Sequence, residues 1–112
     1  MNWFMAELIG TALLVLLGNG VVANVLLART KGNNSGWIVI SAGWAFGVYV
    51  GAFCSAESSG AHLNPAITVA MAVSGQLGFF KAIGYIIAQL IGAFLGGTTV
   101  FLFYREHFKI SS

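Results

Sequence analysis

Ionisable side chains are scarce in this sequence of 112 residues, which contains five Lys and Arg and three Asp and Glu. Charged residues make up 7% of the chain, against about 25% in soluble domains, whereas hydrophobic residues reach 58% and the mean hydropathy is +0.88. This composition excludes a soluble globular domain and is typical of a protein of the lipid bilayer. Because nucleic-acid binding needs clustered Lys and Arg, the net charge of +2 excludes that class of partner as well.

Cysteine and proline occur once each. Cys54 alone can form neither an intrachain disulfide nor a thiolate metal cluster, and we interpret it as a small buried hydrophobic residue. His62 has no second His, Cys or carboxylate at ligand spacing, so neither a metal site nor a cofactor is predicted. The one proline, Pro65, lies in the stretch SSGAHLNPAIT, where polar and helix-breaking residues are gathered at the centre of the chain.

Long stretches without Asp, Glu, Lys, Arg or His organise the chain, and three of them lie at 8–28, 37–56 and 82–104. Each matches the ~20 residues that a helix needs to cross the hydrocarbon of a bilayer. We therefore predict transmembrane helices at about 5–28, 37–55 and 81–104. The segment MNWFMAE before the first has no Lys or Arg and two further spans follow, so a signal peptide is not predicted. RTKGNNSG is predicted to be a polar turn and REHFKISS a polar tail.

A fourth apolar segment, 65–73, is too short to span the membrane. Apolar runs of ~10–14 residues are more often re-entrant or buried than spanning, so we predict a re-entrant loop and half-helix at about 56–74. Asn64 and Pro65 fit the start of this half-helix, because Asn is a favoured N-cap and Pro a favoured first helical residue. With its oxygen engaged in capping, the Asn64 amide leaves its NH₂ group as a donor near the membrane midplane.

The residues just before this half-helix are predicted to present backbone carbonyls. Irregular backbone at midplane depth is tolerated only where it is buried in protein or lines a water-filled cavity, and glycine permits the tight path. The predicted acceptors are the carbonyls of Gly60, Ala61, His62 and Leu63. Such a row, ending at an amide donor and at the positive end of a helix dipole, suits a small neutral solute with hydroxyl groups and opposes cations. These residues predict a conduction site for water or polyols.

The stretch SGAHLNPAIT resembles the first Asn-Pro-Ala signature of the major intrinsic protein family, the aquaporins and aquaglyceroporins, with Asn64, Pro65 and Ala66 as its three residues. AELIGTALLVLLGNG and IIAQLIGA are similar to the first and third spans of that family. The resemblance implies an all-α membrane protein with three transmembrane helices and one re-entrant half-helix, as a single half-repeat over 1–112. Pores of the family consist of two inverted halves and assemble as homotetramers, and this sequence resembles the first half.

Trp44 stands twenty residues before Asn64, at the position that belongs to the narrowest ring of the family's pores. Trp at this position resembles the bacterial glycerol facilitators, in which an aromatic wall faces the carbon backbone of the polyol. Val48 lies one helical turn from Trp44 and therefore shares its face. An isolated Trp in a span is normally interpreted as facing lipid or the interface. The spacing to Asn64 favours an apolar pore wall instead.

Two polar residues within the spans are candidates for bracing the re-entrant loop. A carboxylate in an apolar span is costly, so Glu7 is expected to face protein or water, or to lie among the lipid headgroups. The resemblance implies that Glu7 accepts hydrogen bonds from the loop backbone and that Gln89 on the third span is a second brace. For Gln89 the brace and a position among the lipid headgroups both remain open.

Small residues recur every four positions along two predicted spans. On the second span they are Gly43, Gly47 and Gly51, and on the third Gly84, Ala88, Gly92 and Gly96. This small-xxx-small pattern lets helix backbones approach closely, so we predict helix-packing surfaces there.

The positive charges disagree with the family's orientation in the membrane. Arg29, Lys31, Arg105 and Lys109 fall on one side of a three-span chain, and Lys81 falls on the other with the amino terminus. The positive-inside rule then places the amino terminus outside the cell, whereas members of the family place it inside.

The sequence predicts a passive half-pore for glycerol, other small polyols and water, as a glycerol facilitator that stops early in a bacterial inner membrane, which it crosses several times. An enzyme is not predicted, because Ser58 and Ser59 near His62 belong to no recognised nucleophile motif. Polar groups of a lone half would face lipid, so the missing C-terminal half or a second copy is the expected partner. The alternatives are a non-conducting membrane subunit or fragment and an antiparallel homodimeric pore.

Overall fold

A computed structural model describes residues 1–111 of the chain, and the secondary structure of that part is entirely helical. The helices are α1 (Trp3–Leu26), α2 (Trp37–Ser59), α3 (Pro65–Val73), α4 (Phe79–Phe103) and α5 (Arg105–Lys109). Helices α1, α2 and α4 have 24, 23 and 25 residues and are apolar enough to cross a membrane, whereas α3 has nine residues. The predicted fold class, three long apolar helices and one half-helix, is confirmed.

The helix ends are set by local chemistry that the lengths of the apolar runs do not reveal. Helix α1 begins at Trp3, two residues before the predicted start, because the Asn2 side chain accepts a hydrogen bond of 2.8 Å from the Met5 N–H. Helix α2 continues to Ser59, four residues beyond the predicted end. It stops there because Gly60 adopts a left-handed conformation with φ of +82°, which glycine tolerates without strain.

Helix α1 lies at the centre of the bundle. Helices α2 and α4 each pack along α1, and within residues 1–111 their backbones do not approach each other. The glycines that recur every four positions on α2 and α4 face α1 at these crossings: a Cβ atom added at Gly51 would lie 2.7 Å from the Gly10 carbonyl oxygen, and one at Gly96 would lie 2.6 Å from the Ala12 carbonyl oxygen. The small residues therefore allow both neighbours to approach the α1 backbone.

The outward faces of the long helices are apolar, as a lipid solvent requires. Large side chains that are more than two-thirds exposed include Ile38 and Phe53 on α2 and Phe80 and Phe94 on α4. Cys54 also lies on the exposed surface of α2, so its interpretation as a buried residue is wrong. Cys54 lies on the face of α2 that points away from α1, whereas Gly51 and Ser55 lie on the face that packs against α1.

The polar tail folds back onto the turn between α1 and α2. The His107 imidazole donates from Nδ1 to the Ala28 carbonyl at 2.9 Å, and the Ala28 N–H donates to the Ser111 hydroxyl at 2.7 Å. Asn24 donates to the Tyr104 hydroxyl at 3.0 Å. His107 is half-buried, because the short helix α5 carries this side chain back to the end of α1.

We expect Ser111→Ala to loosen this contact without unfolding the bundle. The Ala28 N–H would lose its acceptor, and a hydrogen bond contributes about 0.5–1.5 kcal/mol. Hydrogen exchange at the Ala28 amide should therefore accelerate about 2- to 12-fold. Amide exchange measured by mass spectrometry or NMR tests this expectation, with Ser35→Ala in the α1–α2 turn as the control. An unchanged rate at Ala28 would contradict the contact.

Candidate functional site

The loop between α2 and α3 has an unusual backbone. Gly60, Ala61 and Leu63 have φ values of +82°, +53° and +54°, so two residues with side chains occupy the left-handed region. Such a conformation costs of order 1–3 kcal/mol per residue unless the surroundings hold it. The Leu63 side chain helps to hold the loop in this conformation, because it is buried where α1 and α2 cross, beside Gly10 and Gly51.

The carboxylate of Glu7 holds the same loop through its backbone. Glu7 is fully buried on α1, and its two oxygens accept four hydrogen bonds. One oxygen, Oε1, accepts from the Leu63 N–H at 2.9 Å and from Gln89 Nε2 at 2.8 Å. The other, Oε2, accepts from the His62 N–H at 3.1 Å and from the Ser59 hydroxyl at 2.5 Å. Hydrogen bonds to a charged group contribute about 1.5–3 kcal/mol each, so this set stabilises the strained loop.

Gln89 on α4 connects Glu7 to the half-helix. Its amide nitrogen donates to Glu7 and also to the Thr68 hydroxyl at 2.9 Å, and that hydroxyl lies 3.0 Å from Nδ1 of His62. Because the amide nitrogen only donates, the Thr68 oxygen accepts from it, and the tautomer of the His62 imidazole decides which of His62 and Thr68 donates in the bond between them. Gln89 therefore reaches the loop through Glu7 and Thr68, and not through the loop backbone.

A tyrosine on α4 fixes the end of α2. The Tyr85 hydroxyl donates to the Ser59 carbonyl at 2.7 Å, and its ring lies against the ring of His62 with a centroid distance of 4.7 Å. The Ser59 hydroxyl in turn accepts from the Ala61 N–H at 3.2 Å. Together with Glu7, these contacts give every backbone N–H from Gly60 to Leu63 a partner.

The backbone carbonyls of the loop, unlike its N–H groups, have no hydrogen-bond partner in the described part of the chain. Within the described part of the chain, the carbonyl oxygens of Gly60, Ala61, His62 and Leu63 accept no hydrogen bond. Since the N–H groups are all engaged by the protein, the loop presents a row of free acceptors. Such a row can bind a molecule that donates hydrogen bonds.

Helix α3 starts at the end of this row. The Asn64 side-chain oxygen accepts from the Ala66 N–H at 2.8 Å, and Pro65 occupies the first helical position. Asn64 is exposed, and among residues 1–111 its side-chain NH₂ group donates to no protein atom. The row of acceptors therefore ends at one free donor beside the positive end of a helix dipole.

Trp44 and Val48 lie farther along α2. The Trp44 ring contacts Gly18 of α1 so closely that a side chain at Gly18 would overlap it, and Trp44 is half-buried. Val48 is 50% exposed. Trp44 is separated from Gly51 by about 10 Å of helix at 1.5 Å per residue, so it lies well away from the loop, towards the end of the bundle where α2 begins.

Three polar residues that were not predicted to belong to the site complete it. Ser59, Thr68 and Tyr85 connect Glu7, Gln89 and His62 into one buried network. The signal that would have found them is their polarity within apolar segments, since polar side chains at membrane depth face protein and find partners. Ser59 and Thr68 lie at the two ends of the stretch SGAHLNPAIT, but most of their partners lie in other helices, so the stretch alone does not show what they bond.

A family model described as Major intrinsic protein matches residues 1–111. The chain is 49% identical over 109 residues to a probable glycerol uptake facilitator protein of Thermotoga maritima, covering 97% of this chain and 47% of the relative. Identity and coverage are the same for a glycerol uptake facilitator protein of Streptococcus pneumoniae. The chain thus spans about half the length of the curated relatives it matches.

Its fold is also similar to that of a solved structure. The X-ray structure of the aquaglyceroporin from Plasmodium falciparum matches with a TM-score of 0.84 and 35% sequence identity. The match covers 95% of this chain and 43% of that one. Sequence and structure therefore agree that this chain resembles the N-terminal half of a longer protein.

Proposed function

This chain belongs to the major intrinsic protein family, and on that premise we propose that it forms one half of a passive transmembrane channel for glycerol, other small polyols and water. Its three long apolar helices and its similarity to bacterial glycerol facilitators make it a multi-pass protein of the cell membrane. The names of these relatives describe transport of a small polyol, which supports the same class of permeant for this chain.

The row of free carbonyls that ends at Asn64 is the observation that carries the proposal. A polyol or water molecule donates its hydroxyl protons to the carbonyls and accepts from the Asn64 amide, so it exchanges its hydration shell for protein contacts. A cation would meet the positive end of α3, which opposes its passage. Glu7 serves as the brace in this proposal, because it turns the N–H groups inward and leaves the carbonyls free.

Trp44 and Val48 supply the apolar side of the proposed path. A polyol has a carbon backbone as well as hydroxyl groups, so a wall of hydrocarbon and aromatic carbon suits one side of it. The exposed half of Trp44 and the exposed side of Val48 are available for this contact, one helical turn apart on α2. Gly18 is compatible with this contact, because the absence of a side chain there leaves room for the Trp44 ring to pack against α1.

The path needs further protein to close it. Free carbonyls and the exposed Asn64 amide would face lipid in a lone half, where each unsatisfied polar group costs several kcal/mol. We propose that the second wall is a complementary half of the same architecture, and that complete pores assemble as homotetramers as the family resemblance implies. A second copy of this chain in the opposite orientation is the competing source of that wall.

Glycerol flux into proteoliposomes tests the proposal. The chain is reconstituted alone and together with the C-terminal half of the Thermotoga maritima relative, and flux is followed by stopped-flow light scattering. We expect glycerol flux above that of empty liposomes only with both halves, and its loss in Asn64→Leu, while the control Asn19→Leu on the exposed surface of α1 retains it.

The other outcomes are equally informative. Flux from the 112-residue chain alone that Asn64→Leu abolishes would identify a second copy as the missing wall. Flux in neither preparation, with correct membrane insertion shown by protease protection, would overturn the channel and leave a non-conducting subunit. Flux that Asn64→Leu leaves unchanged would remove the row of carbonyls as the path.

A further inference from the structure

The first residue of α1 packs against the start of α4. Trp3 is half-buried, and its ring stacks on the Tyr85 ring with 5.0 Å between the ring centroids and 13° between the ring planes. The Lys81 ammonium lies 5.5 Å from the centroid of the Trp3 ring. Lys81 and Tyr85 are one helical turn apart and share a face of α4. Two side chains of the same face therefore hold the Trp3 ring.

Gly84, on the same turn of α4, leaves room for this contact. A Cβ atom added at Gly84 would lie 2.5 Å from Cη2 and 3.0 Å from Cζ3 of the Trp3 ring. Because an indole ring is rigid, it could yield only by moving as a whole. The absence of a side chain at Gly84 therefore sets how closely the Trp3 ring approaches α4.

Trp3 differs from a tryptophan that anchors a helix at the membrane interface. Trp is enriched there because its ring is amphipathic and lies at the depth of the headgroups. Trp37, the first residue of α2, fits that description, since it is 77% exposed. The Trp3 ring contacts protein instead, so its position is set by α4.

Tyr85 connects Trp3 to the re-entrant loop. Tyr85 is only 3% exposed, and the centroid of its ring also lies 4.7 Å from that of the His62 ring. Its hydroxyl donates to the Ser59 carbonyl at 2.7 Å. A tyrosine side chain turns about only two torsions, so contacts at the ring also fix the direction of the hydroxyl. The place where Trp3 holds the Tyr85 ring therefore sets where the hydroxyl meets Ser59.

The first carbonyls of the row depend on the position of Ser59. Glu7 bonds directly to the last two N–H groups of the loop. The Ala61 N–H bonds instead to the Ser59 hydroxyl at 3.2 Å, and the Gly60 N–H bonds within the last turn of α2. Gly60 and Ala61 thus follow the end of α2, and Tyr85 holds that end from α4.

We propose that Trp3 is a positioning residue for the row of carbonyls. Its ring acts on the first two acceptors of the row through Tyr85 and Ser59. Lys81 and Gly84 keep the ring in place. In its effect on permeation this inference rests on the proposed function, whereas in its effect on the loop it does not. The first residue of α1 thereby acts on the backbone that precedes the half-helix.

Hydrogen exchange in lipid nanodiscs tests the effect on the loop. An aromatic pair stabilises beyond its buried area by an amount that corresponds to about 2- to 12-fold in an equilibrium constant. We expect Trp3→Ala to accelerate exchange at the Ala61 amide by about that factor. Trp3→Phe keeps an aromatic ring on Tyr85 and should restore the slow rate. Trp37→Ala is the control for loss of an exposed tryptophan and should leave the rate unchanged.

The amide of Gly18, buried in the middle of α1, separates a hold on the loop from general stability. Its exchange should be the same in Trp3→Ala as in the wild type. Equal acceleration at Gly18 and Ala61 would show a general loss of stability and would overturn the inference. An unchanged rate at Ala61 would overturn it as well, because the loop would then not depend on Trp3.

Gly84→Ala tests the same contact with Trp3 still present. The added Cβ atom displaces the ring, so exchange at Ala61 should accelerate although alanine favours a helix more than glycine does. Combined with Trp3→Ala it should accelerate exchange no further, because the ring that it displaces is absent. Gly97→Ala is the control, since a Cβ atom there meets no heavy atom within 4 Å. Additive effects of the two substitutions would overturn the inference.

Glycerol flux through proteoliposomes that contain both halves tests the effect on permeation. We expect flux to fall about 2-fold or more in Trp3→Ala and to be retained in Trp3→Phe and in Trp37→Ala. Flux that Trp3→Ala leaves unchanged, where the wild type conducts, would overturn the positioning role in permeation. Absence of flux in the wild type would overturn the proposed function alone, and the exchange rates at Ala61 would then decide whether Trp3 holds the loop.

Discussion

Glu7→Leu should unfold the re-entrant loop. The remaining helices should then no longer unfold with it in a single cooperative transition. Leucine cannot accept the four hydrogen bonds that converge on the carboxylate, and each stranded buried donor costs about 1–3 kcal/mol. Their sum is comparable with the 5–15 kcal/mol that typically stabilises a small domain, so about half or more of the stability is at stake. We expect the His62 and Leu63 amides to exchange at least 100-fold faster in nanodiscs.

Two further variants make the result specific to the contacts of Glu7. Glu7→Gln keeps one acceptor oxygen but turns an NH₂ group towards two donors, so its loss of stability should lie between wild type and leucine. Glu57→Leu removes a carboxylate from the exposed end of α2, where it has no hydrogen-bond partner within 1–111, and should leave exchange at His62 unchanged. Equal effects of Glu7→Leu and Glu57→Leu would contradict the bracing role.

Gly92→Ala is expected to force α1 and α4 apart. A Cβ atom at Gly92 would overlap the Leu8 carbonyl oxygen and lie 3.1 Å from the Ala12 nitrogen, and neither backbone atom can rotate away. Overpacking of this kind typically costs about 1–3 kcal/mol. Since α4 also carries Gln89, one turn before this crossing, the shift should weaken the contact between Gln89 and Glu7. Thermal unfolding in detergent measures the loss.

The same helix offers a matched control five residues along. A Cβ atom at Gly97 would meet no heavy atom within 4 Å, so Gly97→Ala should be neutral or should stabilise α4 by about 0.5–1 kcal/mol through helix propensity. A lower melting temperature for Gly92→Ala and an equal or higher one for Gly97→Ala would show that close approach, and not the methyl group itself, causes the loss. Equal melting temperatures would refute the packing argument.

The spans and the half-helix are predictable because their determinants are local. The bilayer sets the length of an uncharged run, and the order Asn64-Pro65 begins a helix by capping chemistry alone. The repeated glycines on α2 and α4 were likewise recognisable in the sequence, but the repeat does not show which helix it packs against. Only the structure shows that both meet α1, with Gly51 of α2 beside Gly10 and Gly92 of α4 beside Leu8 and Ala12.

The polar network was less predictable because its members are far apart in the chain. The resemblance pointed to Glu7 and Gln89, but the roles of Ser59, Thr68 and Tyr85 depend on distances between helices that no spacing encodes. The bonds that join Glu7 to Ser59 and to Gln89 bridge 52 and 82 residues. The periodicity of a sequence shows on which face of its own helix a residue lies. It does not show which faces of different helices meet, and this site forms where faces of α1, α2, α3 and α4 meet.

The central position of α1 has a consequence for biosynthesis. Translation proceeds at about 5–20 residues per second, so Ser59 follows Glu7 by about 3–10 s and Gln89 follows it by about 4–16 s. During that interval the carboxylate has none of its partners. Helix α1 must therefore enter the membrane on its hydrophobicity alone, with Glu7 in its second turn near the water interface. The carboxylate on the first helix gains its hydrogen-bond donors only from segments that are synthesised later, and the set is complete only after Gln89 on α4 has left the ribosome.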